Sequence, residues 1–224
     1  MENENQLFLK EARRNLYVLW LGVFMVSMGM SAVLPFLPLY ISQLGDFQTS
    51  ELNLLSSLSF AVSFLMSAIA SPFWGRLADK YGCRPMLLRA SFCLTFILAL
   101  MAFVTSVWQL IVLRALQGTF GGFISNSIAL VAIQTPKEKS GHSLAILSTG
   151  ITAGTLIGPL MGALIASLVG YRGSFIMTSL FFFLIFFLVL FLVIERKKVR
   201  NLEKKKEPFS WKSLSNRHFL FGLL

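Results

Sequence analysis

A chain of 224 residues that is 55% hydrophobic and only 13% charged falls well below the roughly 25% charge of a soluble domain. No water-soluble fold of this size hides that much apolar surface. Its formal charge of +10 is placed at the ends of apolar runs, where it meets anionic headgroups and sets orientation, rather than in a patch suited to nucleic acid.

Six runs are long enough to cross a bilayer core as helices of about 20 residues: 16–43, 52–74, 86–104, 107–133, 143–168 and 174–194. They are far longer than barrel strands, and lipid excludes open sheet edges, so the fold class is an all-α membrane protein. The first run is also longer than a signal-peptide core of roughly 7–15 residues, and five more come after it. The reading is a cytoplasmic N-terminal segment over 1–15 and a six-helix transmembrane bundle over 16–194. A basic cytoplasmic central linker occupies 195–217, then the start of a seventh, truncated transmembrane helix 218–224. The expected partner is therefore a missing C-terminal six-helix half. A truncated half that transports nothing is the alternative. With the N-terminus inside, segments 1–15, 75–89, 136–142 and 195–217 hold 18 of the 20 Lys and Arg, and the outer loops hold only Arg172. This asymmetry places both termini in the cytoplasm and the chain in the cell membrane as a multi-pass protein.

The first span carries Pro35 and Pro38 near its outer end, a kink that serves either packing or gating. The second repeats Ser56, Ser59, Ser63, Ser67 and Ser71 on one face. That face either meets another helix closely or lines a watery path. Between the second and third spans, Gly75 to Arg84 holds three cations, one carboxylate and two glycines, the composition of a tight hydrophilic turn at the membrane surface. The third and sixth spans are almost purely apolar and are expected to face lipid all round. The other four carry nearly all the Ser, Thr, Gly, Gln and Pro, and are expected to surround a path.

The fourth span contains Arg114, about 10 Å inside its outer end. Burying it unpaired costs at least ~2.5–3.5 kcal/mol. Arg114, Gly118, Gly121 and Ser125 share one stripe, so the guanidinium points where glycines leave room. It is either satisfied by backbone carbonyls or used in substrate or proton movement, with Gln117 and Asn126 as further cargo contacts. In the fifth span Gly150, Gly154, Gly158 and Gly162 stand four apart with Pro159 beside the third. They make a ridge about 18 Å long without side chains, which another helix can approach closely.

Catalytic constellations are missing from the sequence. No paired carboxylates, nucleophile–base spacing or phosphate-binding glycine motif occurs, so an enzyme is not expected. Cys83 and Cys93 give no disulfide framework and read as free thiols. His142 and His218 lack partners at ligand spacing, so neither a metal nor a cofactor is expected, and nucleic acid is not a partner.

Taken together, the motifs resemble those of the major facilitator superfamily. Gly75-x-Leu77-x-Asp79-Lys80-x-Gly82-x-Arg84 is similar to its loop signature, with Cys83 at a usually basic position. Leu113-Arg114-x-x-Gln117-Gly118 resembles the fourth-helix signature, and the Gly150–Gly162 series with Pro159 resembles the fifth-helix antiporter signature. Leu34-Pro35-Phe36-Leu37-Pro38 resembles the first-helix signature of the twelve-helix drug:proton antiporter branch. The resemblance implies proton-coupled efflux of drugs or other hydrophobic small molecules by alternating access, with a sugar or amino acid as the alternative cargo. It implies that the segment from Gly75 to Arg84, with Arg76 and Leu77, gates the cytoplasmic side. Asp79 would accept from a helix N-terminus of the opposite half, and Arg76, Lys80 and Arg84 would anchor to lipid phosphates or carboxylates. The glycine ridge would be a pivot against the second half, and Arg114 would bias a proton carrier. No Asp or Glu is buried in any span, so that carrier lies in the missing half or coupling differs.

Overall fold

A computed structural model describes residues 2–195, with side chains from Lys10 onward. Apart from Glu195, the linker over 195–217 and the seventh-span segment over 218–224 lie outside the described residues. Among the described residues there are helices and short connections only. The elements are α1 (Glu2–Ala32), α2 (Leu37–Ser42), α3 (Thr49–Tyr81), α4 (Cys83–Met101), α5 (Val107–Phe120), α6 (Phe123–Gln134) and α7 (Lys137–Leu192).

Six crossings emerge from seven helices because two spans are broken and one helical run turns back. The first span divides into α1 and α2 around Pro35, which has no N–H to continue the helix. The fourth divides into α5 and α6 at Gly121–Gly122, where Gly122 holds φ 98, a left-handed conformation that glycine adopts without strain. A straight helix of the length of α7, 56 residues, would measure about 84 Å. It is instead two arms meeting at Gly170, which has φ 73 and ψ 173. The arm before Gly170 runs with α1: Gly150 lies against Trp20 and Gly162 against Ala32. The arm after it runs against α1, with Thr178 beside Gly29 and Ile185 near Gly22. The chain therefore reverses direction at Gly170.

The core lies along α1, α4 and the second arm of α7. On α4, Leu87, Ala90, Leu94, Leu98 and Met101 are buried at helical spacing. The second arm supplies Phe175, Phe182, Ile185 and Val189. The expectation that the third and sixth spans face lipid all round is thus corrected. Each buries one stripe and exposes the other, with Phe92, Phe96, Phe183 and Phe191 outward. Their uniform greasiness offers no periodic contrast from which to read a buried face. Helix α3 has the opposite pattern, with Ser56 and Ser59 buried and Leu54, Phe64, Leu65, Ile69 and Phe73 exposed.

Polar ties close both ends of the bundle. At one end Tyr40 Oη donates to the Met101 carbonyl at 2.7 Å, and Arg172 Nη2 donates to the Val104 carbonyl at 3.3 Å. At the other, Asn15 Nδ2 donates to Gln134 Oε1 at 2.7 Å and to the Ile194 carbonyl at 2.6 Å. The Ile194 N–H returns a bond to Asn15 Oδ1 at 3.2 Å. This second end also gathers Lys10, Arg13, Arg14, Arg76, Lys80, Arg84, Lys137 and Lys139, and is called the basic end below.

Candidate functional site

A cavity of about 1000 Å³ lies between the C-terminal half of α3 and the α5–α6 break. Ser67 and Gly118 line its deep part, and Lys80, Lys137 and Glu195 line it at the basic end. Between them stand Ser71, Trp74, Thr119, Ser125 and Asn126.

The serine stripe of α3 serves two roles in turn. Ser56 and Ser59 return their hydroxyls to carbonyls four residues back, at 2.7 and 2.8 Å, and are buried. Ser63 Oγ donates to the Arg114 carbonyl at 2.9 Å, and a side chain at Gly118 would collide with the Ser63 backbone. The α3 and α5 backbones therefore touch at this level. Beyond it they diverge, and Ser67 and Ser71 face the cavity. One half of the stripe thus makes a close helix contact and the other half faces a cavity.

The break at Gly121–Gly122 interrupts the helical hydrogen-bond ladder, and side chains take up carbonyls around it. Trp74 Nε1 donates to the Thr119 carbonyl at 2.7 Å, Arg89 Nη2 to the Gly121 carbonyl at 2.9 Å, and Asn126 Nδ2 to the Gly122 carbonyl at 2.7 Å. The Arg89 guanidinium stacks 3.5 Å over the Trp74 ring. By its place in the sequence Arg89 belongs with the surface cations. It instead reaches into the bundle, to a tryptophan that no sequence motif includes. The position of Trp74, one turn after Ser71 on an otherwise Ser/Ala-rich face, is the signal available for it.

The predicted path residues divide. Gly118 and Asn126 line the cavity; Arg114 and Gln117 do not. Both are buried, and Arg114 Nη1 donates to Gln117 Oε1 at 2.9 Å. Phe60 presents its ring 5.5 Å from the guanidinium, and Arg114 Nε and Nη2 have no hydrogen-bond partner among the described residues. Gly118, Gly121 and Ser125 do share the cavity wall, but the stripe does not give this side chain room: the Ser63 backbone fills the space at Gly118, and Arg114 stays sealed beside the cavity.

The gate segment is less of a loop than its composition implies. Helix α3 continues through Gly75, Arg76, Leu77, Asp79 and Lys80 to Tyr81, Gly82 makes the turn, and α4 starts at Cys83. Asp79 and Lys80 line the cavity mouth. Arg84 is not left to lipid: its Nη2 donates to the Leu190 carbonyl at 2.8 Å. The α4 N-terminus is capped within the chain by Glu195, whose carboxylate accepts from Cys83 N at 3.0 Å and Arg84 N at 2.7 Å. A carboxylate there meets both orphan N–H groups and the positive end of the helix dipole. In the sequence Glu195 is no more than the edge of an apolar run.

The glycine ridge is also placed differently from the expected pivot. Side chains at Gly150, Gly154, Gly158 and Gly162 would collide with Trp20, Phe24, Ser31 and Ala32 respectively. The ridge is seated on α1 of the same bundle, with Ser31 Oγ donating to the Thr155 carbonyl at 3.2 Å across the seam. Pro159 sits within the first arm of α7 without ending it. Pro35 lies in the α1–α2 connection, and Pro38 occupies the first turn of α2, where a missing N–H is tolerated.

The family model described as Major Facilitator Superfamily matches residues 19–224. The chain is 46% identical over 144 residues to Multidrug resistance protein MdtG of Proteus mirabilis (strain HI4320), covering 64% of this chain and 36% of that protein. It is 50% identical over 144 residues to the MdtG of Dickeya zeae (strain Ech586), covering 64% and 35% respectively. The MdtG of Salmonella arizonae is 51% identical over 144 residues, with 64% and 36% covered. The matched stretch thus spans little more than a third of these relatives' length. Among solved structures, the human organic anion transporter MFSD10 (TETRAN) superposes with a TM-score of 0.67 at 20% identity, over 82% of this chain and 48% of that one. At that identity the likeness concerns the fold alone.

Proposed function

The chain belongs to the major facilitator superfamily, a family of integral membrane transporters and not of enzymes, and on that footing we propose that it forms one half of a multidrug exporter. The relatives named as multidrug resistance proteins support the cargo class. The single observation that carries the reading is the cavity. It runs from mid-depth to the basic end; Asp79, Lys80, Lys137 and Glu195 line its mouth, and deeper in its wall combines small hydroxyls, Asn126 and one aromatic face. Such a wall binds apolar molecules without demanding one hydrogen-bond pattern. In this proposal the basic end faces the cytoplasm, the cavity opens there, and a second six-helix bundle completes its wall against α3. Its Asp79 would meet a helix N-terminus of that bundle.

Arg114 and Gln117 act beside the cavity rather than on the cargo. Coupling to protons is part of the proposal, with the titrating carboxylate supplied by the second bundle. The experiment is dye efflux from cells expressing the whole gene product. A hydrophobic fluorescent dye should accumulate less than in vector controls, and an uncoupler should abolish the difference. Efflux indifferent to the uncoupler would remove proton coupling. Competition by a single polar metabolite, with none by hydrophobic drugs, would replace the multidrug reading with metabolite export.

A further inference from the structure

Away from this cavity, a groove of about 430 Å³ opens where the start of α1 meets the start of α7. Lys10, Arg13, Lys139 and His142 line it and are exposed. None of these side chains forms a hydrogen bond or ion pair with another described residue. The carboxylates nearest in sequence, Glu11 and Glu138, do not line the groove. Three permanent cations, from two elements far apart in sequence, therefore converge on one space with no counter-charge among the described residues of its wall. Their mutual repulsion is unfavourable unless an anion occupies that space.

The rest of the wall narrows the choice of anion. Tyr17 and Ile146 continue the groove along α1 and α7 toward the apolar middle of the bundle, and Tyr17 is 59% exposed. A small soluble anion would use the cationic rim and leave this apolar wall uncovered. An amphiphile uses both. We infer that the groove binds the phosphodiester headgroup of an anionic phospholipid, with its acyl chains descending past Tyr17 and Ile146. The inference rests on membrane insertion alone and is independent of what the protein exports.

The test is lipid retention by the whole gene product in detergent, read by native mass spectrometry. The probes are phosphatidylglycerol and phosphatidylcholine of identical acyl chains. The expected result is one phosphatidylglycerol retained in clear preference to phosphatidylcholine. Arg13→Gln and Lys139→Gln should each lower that retention about fivefold, the worth of one cation at an anionic surface, with phosphatidylcholine retention unchanged. Arg14→Gln removes the same charge next door but outside the groove, and should have little effect. Equal retention of the two lipids would overturn the proposal. So would an Arg14→Gln effect as large as that of Arg13→Gln, since the preference would then be diffuse attraction to a basic end. Displacement of the lipid by inorganic phosphate would also overturn it, by showing a site for a soluble anion.

Discussion

Two helix pairs in this bundle use glycine to bring backbones together, and they end differently. The seam between α1 and the first arm of α7 repeats the contact four times, from Gly150 on Trp20 to Gly162 on Ala32. The pair α3 and α5 makes it once, at Gly118 on Ser63, and then diverges into the cavity. A glycine every fourth residue keeps two helices in contact along their length, because the same face returns after nearly each turn. A single glycine makes a fulcrum instead. Beyond this fulcrum lies the Gly121–Gly122 break, where Trp74 and Arg89 donate to backbone carbonyls. One side of the bundle is welded and the other is propped open.

The largest effect should come from attacking the weld. Gly162→Leu drives a side chain into the Ala32 backbone, an overpacking that costs about 1–3 kcal/mol or more. Loss of the monodisperse peak in size-exclusion chromatography is expected. A near-normal melting temperature would mean that the seam is loose and the contrast false. Next is the prop. Arg89→Ala removes a stacked guanidinium and the donor to the Gly121 carbonyl, with an expected loss of about 1–3 kcal/mol. Thermal unfolding should register it, and a thiol placed at Ser125 should label faster. If labelling there is unchanged, Arg89 does not hold the break.

A smaller effect is expected at the α4 cap. Glu195→Gln keeps one acceptor but removes the charge at the helix N-terminus, worth about 0.3–1 kcal/mol. Glu195→Lys should be clearly worse than Gln, since it reverses the interaction with the dipole. Equal melting temperatures for the two variants would show that the charge is immaterial. The smallest change to stability tests the fulcrum directly. In a background lacking Cys83 and Cys93, Ser67→Cys should react with a water-soluble thiol reagent and Ser59→Cys should not. The two lie on one stripe of α3, on opposite sides of the Ser63 contact. Equal reactivity would put the boundary between weld and cavity in the wrong place.

Much of this site is legible residue by residue, and its assembly is not. Gly118 and Asn126 stand out in the sequence as path residues and do line the cavity, while Arg114 and Gln117 group with them in sequence and are sealed beside it. Gly118 and Ser125 share the cavity wall as helical periodicity implies, while Arg114 on the same stripe is shut off from it because α3 touches α5 at Ser63. The glycine ridge is a place of close approach, as its spacing implies, but its partner is α1 of the same bundle rather than a helix from outside it.

By itself, the sequence determined the membrane class, the six crossings, the gathering of cations at alternate connections and the family. These are properties of composition along short stretches, and the ~30 Å thickness of the bilayer core converts them directly into helices. Only the tertiary structure decided that Glu195 caps α4, that Arg84 reaches the Leu190 carbonyl, that Arg89 covers Trp74 and that Lys10 and Lys139 share a groove. All but the third of these pairs join residues more than a hundred positions apart, and all four depend on which helices lie side by side. Hydropathy says that each helix is buried in something apolar, whereas neighbour choice depends on the shapes of the faces that meet.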